Sequence, residues 1–219
     1  MCFLENQQMR AHLLTGTPLA VAPRLLGAEL TAGHGDGRVS VRITEVEAYE
    51  GESDPGSHAG RGRTRRNEVM YGRPGLLYCY LSHGLHHCLN VVAGPPGVAG
   101  AVLLRAGEVV DGLELARQRR PAVARTADLA RGPGRLGAVL GLTLDDYGTD
   151  LLDPGSDTRL LIRDRAIPNS RISTGPRVGL RLAADRAWRF WLTGDPSVSA
   201  YRPASSRRRP APVIEAAEG

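Results

Sequence analysis

The sequence predicts a single α+β domain: a curved, mainly antiparallel β-sheet with flanking helices and one protruding β-hairpin. Three observations lead there. Segments of strand character outnumber those of helix character and do not alternate with them regularly, as a doubly wound sheet would require. The 219 residues, 42% of them apolar, suffice for one ordinary buried core. Residues 76–92, LLYCYLSHGLHHCLNVV, set two apolar and aromatic arms on either side of Ser82-His83-Gly84. That pattern describes a tight hairpin with Gly84 free to adopt positive φ.

Residues 1–14 are expected to be a loose lead-in and 15–201 the folded domain, followed by a disordered tail at 202–219 with Pro, Ala, Ser and Arg character. Thr17-Pro18 supplies an N-cap and first turn for a helix toward Gly27, which Pro23 shortens or kinks. Strands are predicted at Val39–Tyr49, Leu76–Leu81, Leu85–Val92, Ala101–Arg105, Arg159–Ile162, Arg177–Leu182 and Ala187–Thr193. Helices are predicted at Arg65–Tyr71, Asp111–Arg119 and Pro133–Leu140, the last opening on proline and followed by Gly141. There is no internal repeat, no G-x-G-x-x-G and no P-loop.

No run of eighteen apolar residues and no secretory leader pattern is present, so the expectation is a cytoplasmic protein without membrane contact. Cys2, Cys79 and Cys88 are an odd number at no zinc-finger spacing, which fits reduced thiols. All 28 basic residues are arginine, and a chain without lysine has no side-chain amine for a Schiff base. Net charge is +5, and residues 61–73 (RGRTRRNEVMYGR) hold five arginines against one glutamate. A solvated surface is the ordinary reading of such a run. A phosphate-facing patch is the sharper one, since guanidinium forks match phosphate oxygens.

Chemistry concentrates in two stretches. In TEVEAYEG (44–51), strand alternation puts Ile43, Glu45, Glu47 and Tyr49 on one face and Thr44, Val46 and Ala48 on the other. A carboxylate thus lies beside an aromatic ring. Glu45 and Glu47, roughly 6.6–6.8 Å apart from strand rise, could serve as a glycosidase pair, though adjacent strand glutamates are more often a solvated face. In the hairpin, Tyr78 and Tyr80 share a face and His83 stands at the tip, where a thin wedge could enter a nucleic-acid groove. His83, His86, His87, Cys79 and Cys88 give no pair with clean ligand spacing and a third partner, so packed or surface histidines are favoured over a metal site.

In order, TEVEAYEG, His58 nine residues after Tyr49, Arg65-Arg66-Asn67, RPGLLYCYLSHGLHHCLNVV, VLLRAGE, RGPGRLGAVLGL (131–142) and RVGL resemble the alkyladenine, or 3-methyladenine, DNA glycosylases of the alkylpurine type. The resemblance runs from about Leu25 and ends near Asp195-Pro196-Ser197-Val198-Ser199. It implies a monofunctional base-excision enzyme with no cofactor and no metal, acting as a monomer on double-stranded DNA that contains damaged purines. It implies Glu47 as the base that activates water and Arg105 as a holder of that water. Tyr49, His58 and Tyr80 are implied as walls of the base pocket, with Asn90 at its edge and Glu45 as a neighbour without a catalytic role. His83 falls where the family places the side chain that fills the gap left by a flipped nucleotide, a position at which its best-known members carry tyrosine. Arg61, Arg63, Arg65 and Arg66 are the candidates for the DNA backbone. A DNA damage-binding protein without chemistry is the rival reading, and turnover separates the two.

Overall fold

The computed structural model describes residues 11–163 and 165–204; the rest of the expected lead-in and tail lies outside these. Eight strands join in one curled antiparallel sheet: β1 (Glu29–His34), β2 (Gly37–Tyr49), β3 (Leu77–Ser82), β4 (His86–Val92), β5 (Ala101–Asp111), β6 (Arg159–Leu161), β7 (Ile172–Gly175) and β8 (Arg189–Leu192). The main order is β3-β4-β5-β2-β1-β6, with β8 pairing both β2 and β7. Among the described residues three α-helices accompany it: α1 (Pro18–Val21), α2 (Leu113–Arg119) and α3 (Pro133–Leu140). Thr17 caps α1, its hydroxyl accepting from the Ala20 N–H, and the helix gives way at Ala22–Leu25 to a tighter 3-10 turn that contains Pro23. His12–Leu14 forms another 3-10 turn and Leu14 is fully buried, so the packed chain reaches into the expected lead-in.

The thirteen residues of β2 organise the molecule. One edge pairs with β5 along nearly its whole length. The other edge is divided, its first half pairing with β1 (Gly37 to Arg42) and its second with β8 (Glu45 to Glu47). The division coincides with a register shift against β5 between Ile43 and Val46. Such a bulge sharpens local twist, and here it turns the strand over. Val39, Val41 and Ile43 join the core before it, Val46 and Ala48 after it. Thr44 and Glu45, though consecutive, both reach the 195–199 segment: the Thr44 and Ser197 hydroxyls bond at 2.7 Å and Glu45 accepts from Ser199. The expected alternation therefore holds from Glu45 to Tyr49 but not across Thr44, and Ile43 lies with the core instead of with the glutamates.

The core side of the sheet packs against α3 through Leu136, Val139 and Leu140, all fully buried. Burying a leucine of this kind contributes about 1.5–3 kcal/mol. A Cβ on Gly137 would stand 2.3 Å from the His87 carbonyl oxygen, so only glycine permits this helix to lie so close to β4. A smaller cluster beneath the hairpin holds Met70, Tyr78, Val92 and Ala101.

Several expected elements differ. Arg65–Tyr71 is not an α-helix but ends in a 3-10 turn at Glu68–Tyr71. The strand expected to stop at Arg105 continues to Asp111, and Gly112, with φ of 71°, separates it from α2. Residues 177–182 are not a strand, because Pro176 removes a ladder donor, Arg177 is drawn inward and Gly179 has φ of 73°. The strand of that region is β7, and neither it nor β1 is among the strands expected from sequence.

Candidate active site

The bulge on β2 delivers two carboxylates into the protein at neighbouring points, and the surroundings give them different tasks. Glu45 has no exposed surface. Its Oε1 accepts from Arg105 Nε, Arg189 Nε and the Ser199 hydroxyl at 2.7, 2.7 and 2.9 Å, and its Oε2 accepts from the Ser199 N–H at 2.7 Å. Four donors meet it, and all of them tie it to the fold. Glu47 lies two residues on and lines a cavity of about 460 Å³, inside the ~300–1,000 Å³ range of small-ligand sites. Its Oε1 accepts from the Val178 N–H at 2.7 Å and faces Arg105 Nη1 at 3.2 Å; its Oε2 accepts from the Tyr49 hydroxyl at 2.8 Å. A carboxylate has about four acceptor positions, so three donors leave one.

Arg105 is the link between the two carboxylates. Burial works against its charge, but Glu47 and Glu45 outweigh that and push its pKa up, so it is fixed as a cation. Tyr49 is also tuned by its neighbours. Burial first, and then the charge of Glu47, raise its pKa well above the ordinary phenol range, so the hydroxyl keeps the proton it donates. Behind the ring, the guanidinium of the fully buried Arg177 sits 4.6 Å from its centroid. Arg177 is itself held by Asp54, by the Ala48 carbonyl and over the Trp188 ring. One face of Tyr49 is thereby closed, leaving the other for a ligand.

The opposite wall comes from the hairpin. Tyr80 and Tyr78 lie on the same side of β3 with ring centroids 5.5 Å apart, and His58 meets Tyr80 edge-on at 4.5 Å. His58 is carried by the turn after Asp54, and its carbonyl accepts from the Asn67 side chain. Its Nδ1 is 2.8 Å from the Tyr78 hydroxyl. Removal from water, then the nearby charge of Arg66, lower the His58 pKa, so the ring is neutral at ordinary pH. Burial pushes the Tyr78 phenol up to about 12 and that of Tyr80 higher still. Asn90 on β4 is opposite Tyr78 in register, donates to its carbonyl at 3.0 Å and lines the cavity.

His83 reaches the cavity from the hairpin tip. The turn Ser82–Leu85 closes through a 3.0 Å bond from the Leu85 N–H to the Ser82 carbonyl, and both central residues have positive φ, 51° at His83 and 70° at Gly84. That is the I′ pattern that suits strand twist. Leu85 beside it is 75% exposed. Arg61, Arg63, Arg65 and Arg66 are all exposed. Arg66 lies 5.3 Å above the Tyr80 ring and lines the cavity, while Arg63 lies over Tyr71 and Arg65 borders a separate groove on the outer side of β3.

Thus Glu47, Arg105, Tyr49, His58, Tyr80, Asn90, His83 and Arg66 line one cavity, and Arg61, Arg63 and Arg65 do not. Sequence reasoning passed over Tyr78, Val178, Arg177, Arg189 and Ser199 as parts of the site. Tyr78 carried a signal, its shared face with Tyr80; Arg177, Val178 and Ser199 fall in stretches of the resemblance, but the carboxylates that they and Arg189 hold lie more than a hundred residues away, so nothing local tied them to the site. Among the described residues no group of three His, Cys, Asp or Glu is placed to hold a metal ion, and no helix is long and apolar enough to cross a membrane.

Comparison with known proteins converges on one family. A sequence profile described as methylpurine-DNA glycosylase matches residues 12–196. A protein of Nocardia farcinica is 57% identical over 190 residues, covering 84% of this chain and 87% of its own. One of Mycobacterium tuberculosis is 52% identical over 208 residues, covering 93% and 98%. One of Streptomyces avermitilis is 48% identical over 192 residues, covering 87% and 90%. Each of the three bears the provisional name of a 3-methyladenine DNA glycosylase. The chain belongs to the methylpurine-DNA glycosylase family.

Proposed function

We propose that the protein is a monofunctional DNA glycosylase that flips an alkylated or deaminated purine out of duplex DNA, hydrolyses its N-glycosyl bond and leaves an abasic site. One observation carries this reading. A carboxylate with a single uncommitted acceptor position, Glu47, lines a cavity walled by Tyr49, His58 and Tyr80.

The scissile bond cannot be reached within the base stack, so the nucleotide must be extruded at a cost of a few kcal/mol. Stacking offsets that cost at roughly 1–3 kcal/mol per base-aromatic contact. The free face of Tyr49 and the ring of Tyr80 supply two such contacts. An electron-poor alkylated purine gains most from them, because a cationic ring is drawn to an electron-rich phenol. The proton that Tyr49 shares with Glu47 makes that phenol richer still. A neutral His58 adds no opposing charge. Opposite the leaving base, a water oxygen bonds to C1′ and its proton passes to Glu47, while the bonding pair departs with the base; a cationic alkylated purine is thereby neutralised, and a neutral deaminated one takes up a proton as it leaves. The carboxylate also stabilises the cationic sugar of the transition state. Arg105 orients Glu47 and helps to hold the water.

Excision from a duplex oligonucleotide bearing one alkylated or deaminated purine tests this. The wild type is expected to leave a strand that breaks only on alkaline heating, because no lysine is available for a Schiff base. Glu47→Gln should retain lesion binding and lose roughly 10²- to 10⁴-fold in single-turnover rate. Equal rates for both proteins would remove Glu47 from the chemistry.

A further inference from the structure

We propose that Asp54 determines specificity from outside the cavity: by neutralising the Arg177 guanidinium behind the Tyr49 ring, it keeps the open face of that ring accessible to cationic bases. The inference rests on the base-pocket reading above and adds to it the reason a positively charged base is tolerated there.

The position of Arg177 poses the problem. Its guanidinium carbon lies 4.6 Å from the centre of the Tyr49 ring and 5.0 Å from that of Trp188. An arginine is always charged. A base stacked on the open face of Tyr49 has its centre about 4.5–7 Å from that of the phenol ring, which puts it roughly 9–12 Å from this buried charge. At an effective dielectric of ~20, an uncompensated unit charge at that distance disfavours a cationic base by roughly 10- to 20-fold and leaves a neutral base untouched. Such a wall would select against the very bases that an electron-rich phenol attracts.

Asp54 removes the conflict. Neither side chain of the pair has exposed surface. The carboxylate meets the guanidinium as a fork, Nη2 donating to Oδ1 at 2.8 Å and Nη1 to Oδ2. Burial opposes a charge on Asp54, but the hydrogen bonds and charge of Arg177 outweigh it and hold the carboxyl below the usual carboxylate range, so the pair is ionic. Among the described residues no other anion forms a salt bridge with Arg177, and its Nε has no hydrogen-bond partner, so the compensation comes from Asp54 alone. Arg186 stands 3.6 Å from the same carboxylate, but its side chain is 33% exposed and water screens its charge. The turn is built for the approach: Asp54 Oδ1 also accepts from the Gly56 N–H at 3.0 Å, and a Cβ on Gly56 would stand 2.8 Å from Arg177 Nη2. Asp54 and Arg177 do not line the cavity, whereas Tyr49 does, so a bound base meets the pair only through that ring.

Affinity of the full chain for two duplexes decides the point, one carrying cationic 7-methylguanine and the other neutral hypoxanthine. Both are measured with Glu47→Gln as the common background, so that excision is slow. The ratio of the two affinities cancels every change that acts on both duplexes alike. Asp54→Asn, which can still accept from the Gly56 N–H, should lower the preference for the cationic base roughly 10- to 20-fold. Adding Arg177→Met to Asp54→Asn should return the ratio to that of the background protein, even as both affinities fall because Tyr49 has lost its backing. A merely structural role for Asp54 weakens both duplexes equally, so an unmoved ratio in Asp54→Asn overturns the proposal. The doubly substituted protein holds no unpaired buried charge and keeps the test open where the single variant does not fold. A fall in its ratio comparable to that expected of Asp54→Asn also overturns the proposal, because no charge is left to act. Failure of the base-pocket reading shows differently, as a background protein that binds neither lesion more tightly than undamaged duplex.

Discussion

At Glu45 and Glu47, two identical side chains two positions apart are separated in role by their hydrogen-bond partners. Glu45 is enclosed by donors from Arg105, Arg189 and Ser199. Arg189, Glu45, Arg105 and Glu47 form a buried row of alternating charge, two positive and two negative. Glu45→Gln would leave two guanidiniums against one carboxylate with almost no water nearby. Breaking a buried pair from one side costs about 3–5 kcal/mol, so urea unfolding of Glu45→Gln should show a loss of that order. A loss below about 1 kcal/mol would mean that the row relaxes into solvent. The sequence made the shared face of Glu45, Glu47 and Tyr49 legible, because period-2 alternation is a local property. It did not disclose why Glu45 is unavailable for chemistry, since Arg189 and Ser199 reach it from 144 and 154 residues away.

Among the elements, β2 and the hairpin decide what the site is. The overturn of β2 was written in the chain, though the alternation expected from sequence ran straight through it: apolar residues fall on odd positions at Val39, Val41 and Ile43 and on even positions at Val46 and Ala48. A change of parity between two residues that must both face a core requires an extra residue, and Thr44 is that residue. The hairpin was legible for the opposite reason, since its two arms and its turn are adjacent in sequence. β1 and β7 were not, because ELTAGH and ISTG carry too few apolar residues to stand out from loops. At the tip, His83 holds φ of 51°, a conformation costing a non-glycine residue roughly 1–2 kcal/mol. His83→Gly removes that strain, so its stability should be equal or greater. If the tip enters the duplex as a wedge, the same variant should bind lesion duplex less tightly and lesion single strand about equally. Leu85→Ser should behave likewise, for an exposed leucine at a loop tip has an apolar surface to bury. Equal losses on duplex and single strand would discredit the wedge.

For the molecule as a whole, the distribution of charge separates gripping from chemistry. Negative charge next to the cavity is neutralised internally by Arg105, Arg177 and Arg189, whereas Arg61, Arg63, Arg65 and Arg66 are exposed on one segment. The buried arginines cannot leave their carboxylates to meet a phosphate. The exposed ones can, and they stand on the segment between His58 and β3. Counterion release makes this measurable: the slope of log affinity against log salt falls by about 0.9 for each phosphate neutralised on B-DNA. Alanine at Arg61, Arg63 and Arg65 in turn should reduce the magnitude of the slope by about that amount each, weaken binding alike on lesion and undamaged duplex, and leave the single-turnover rate at saturation unchanged. Arg66→Ala should depart from this pattern, because Arg66 also lies over Tyr80 and lowers the His58 pKa. It should alter the saturating rate as well as the slope. Were all four variants to change the rate and none the slope, the segment would belong to the pocket and the grip would have to be sought elsewhere.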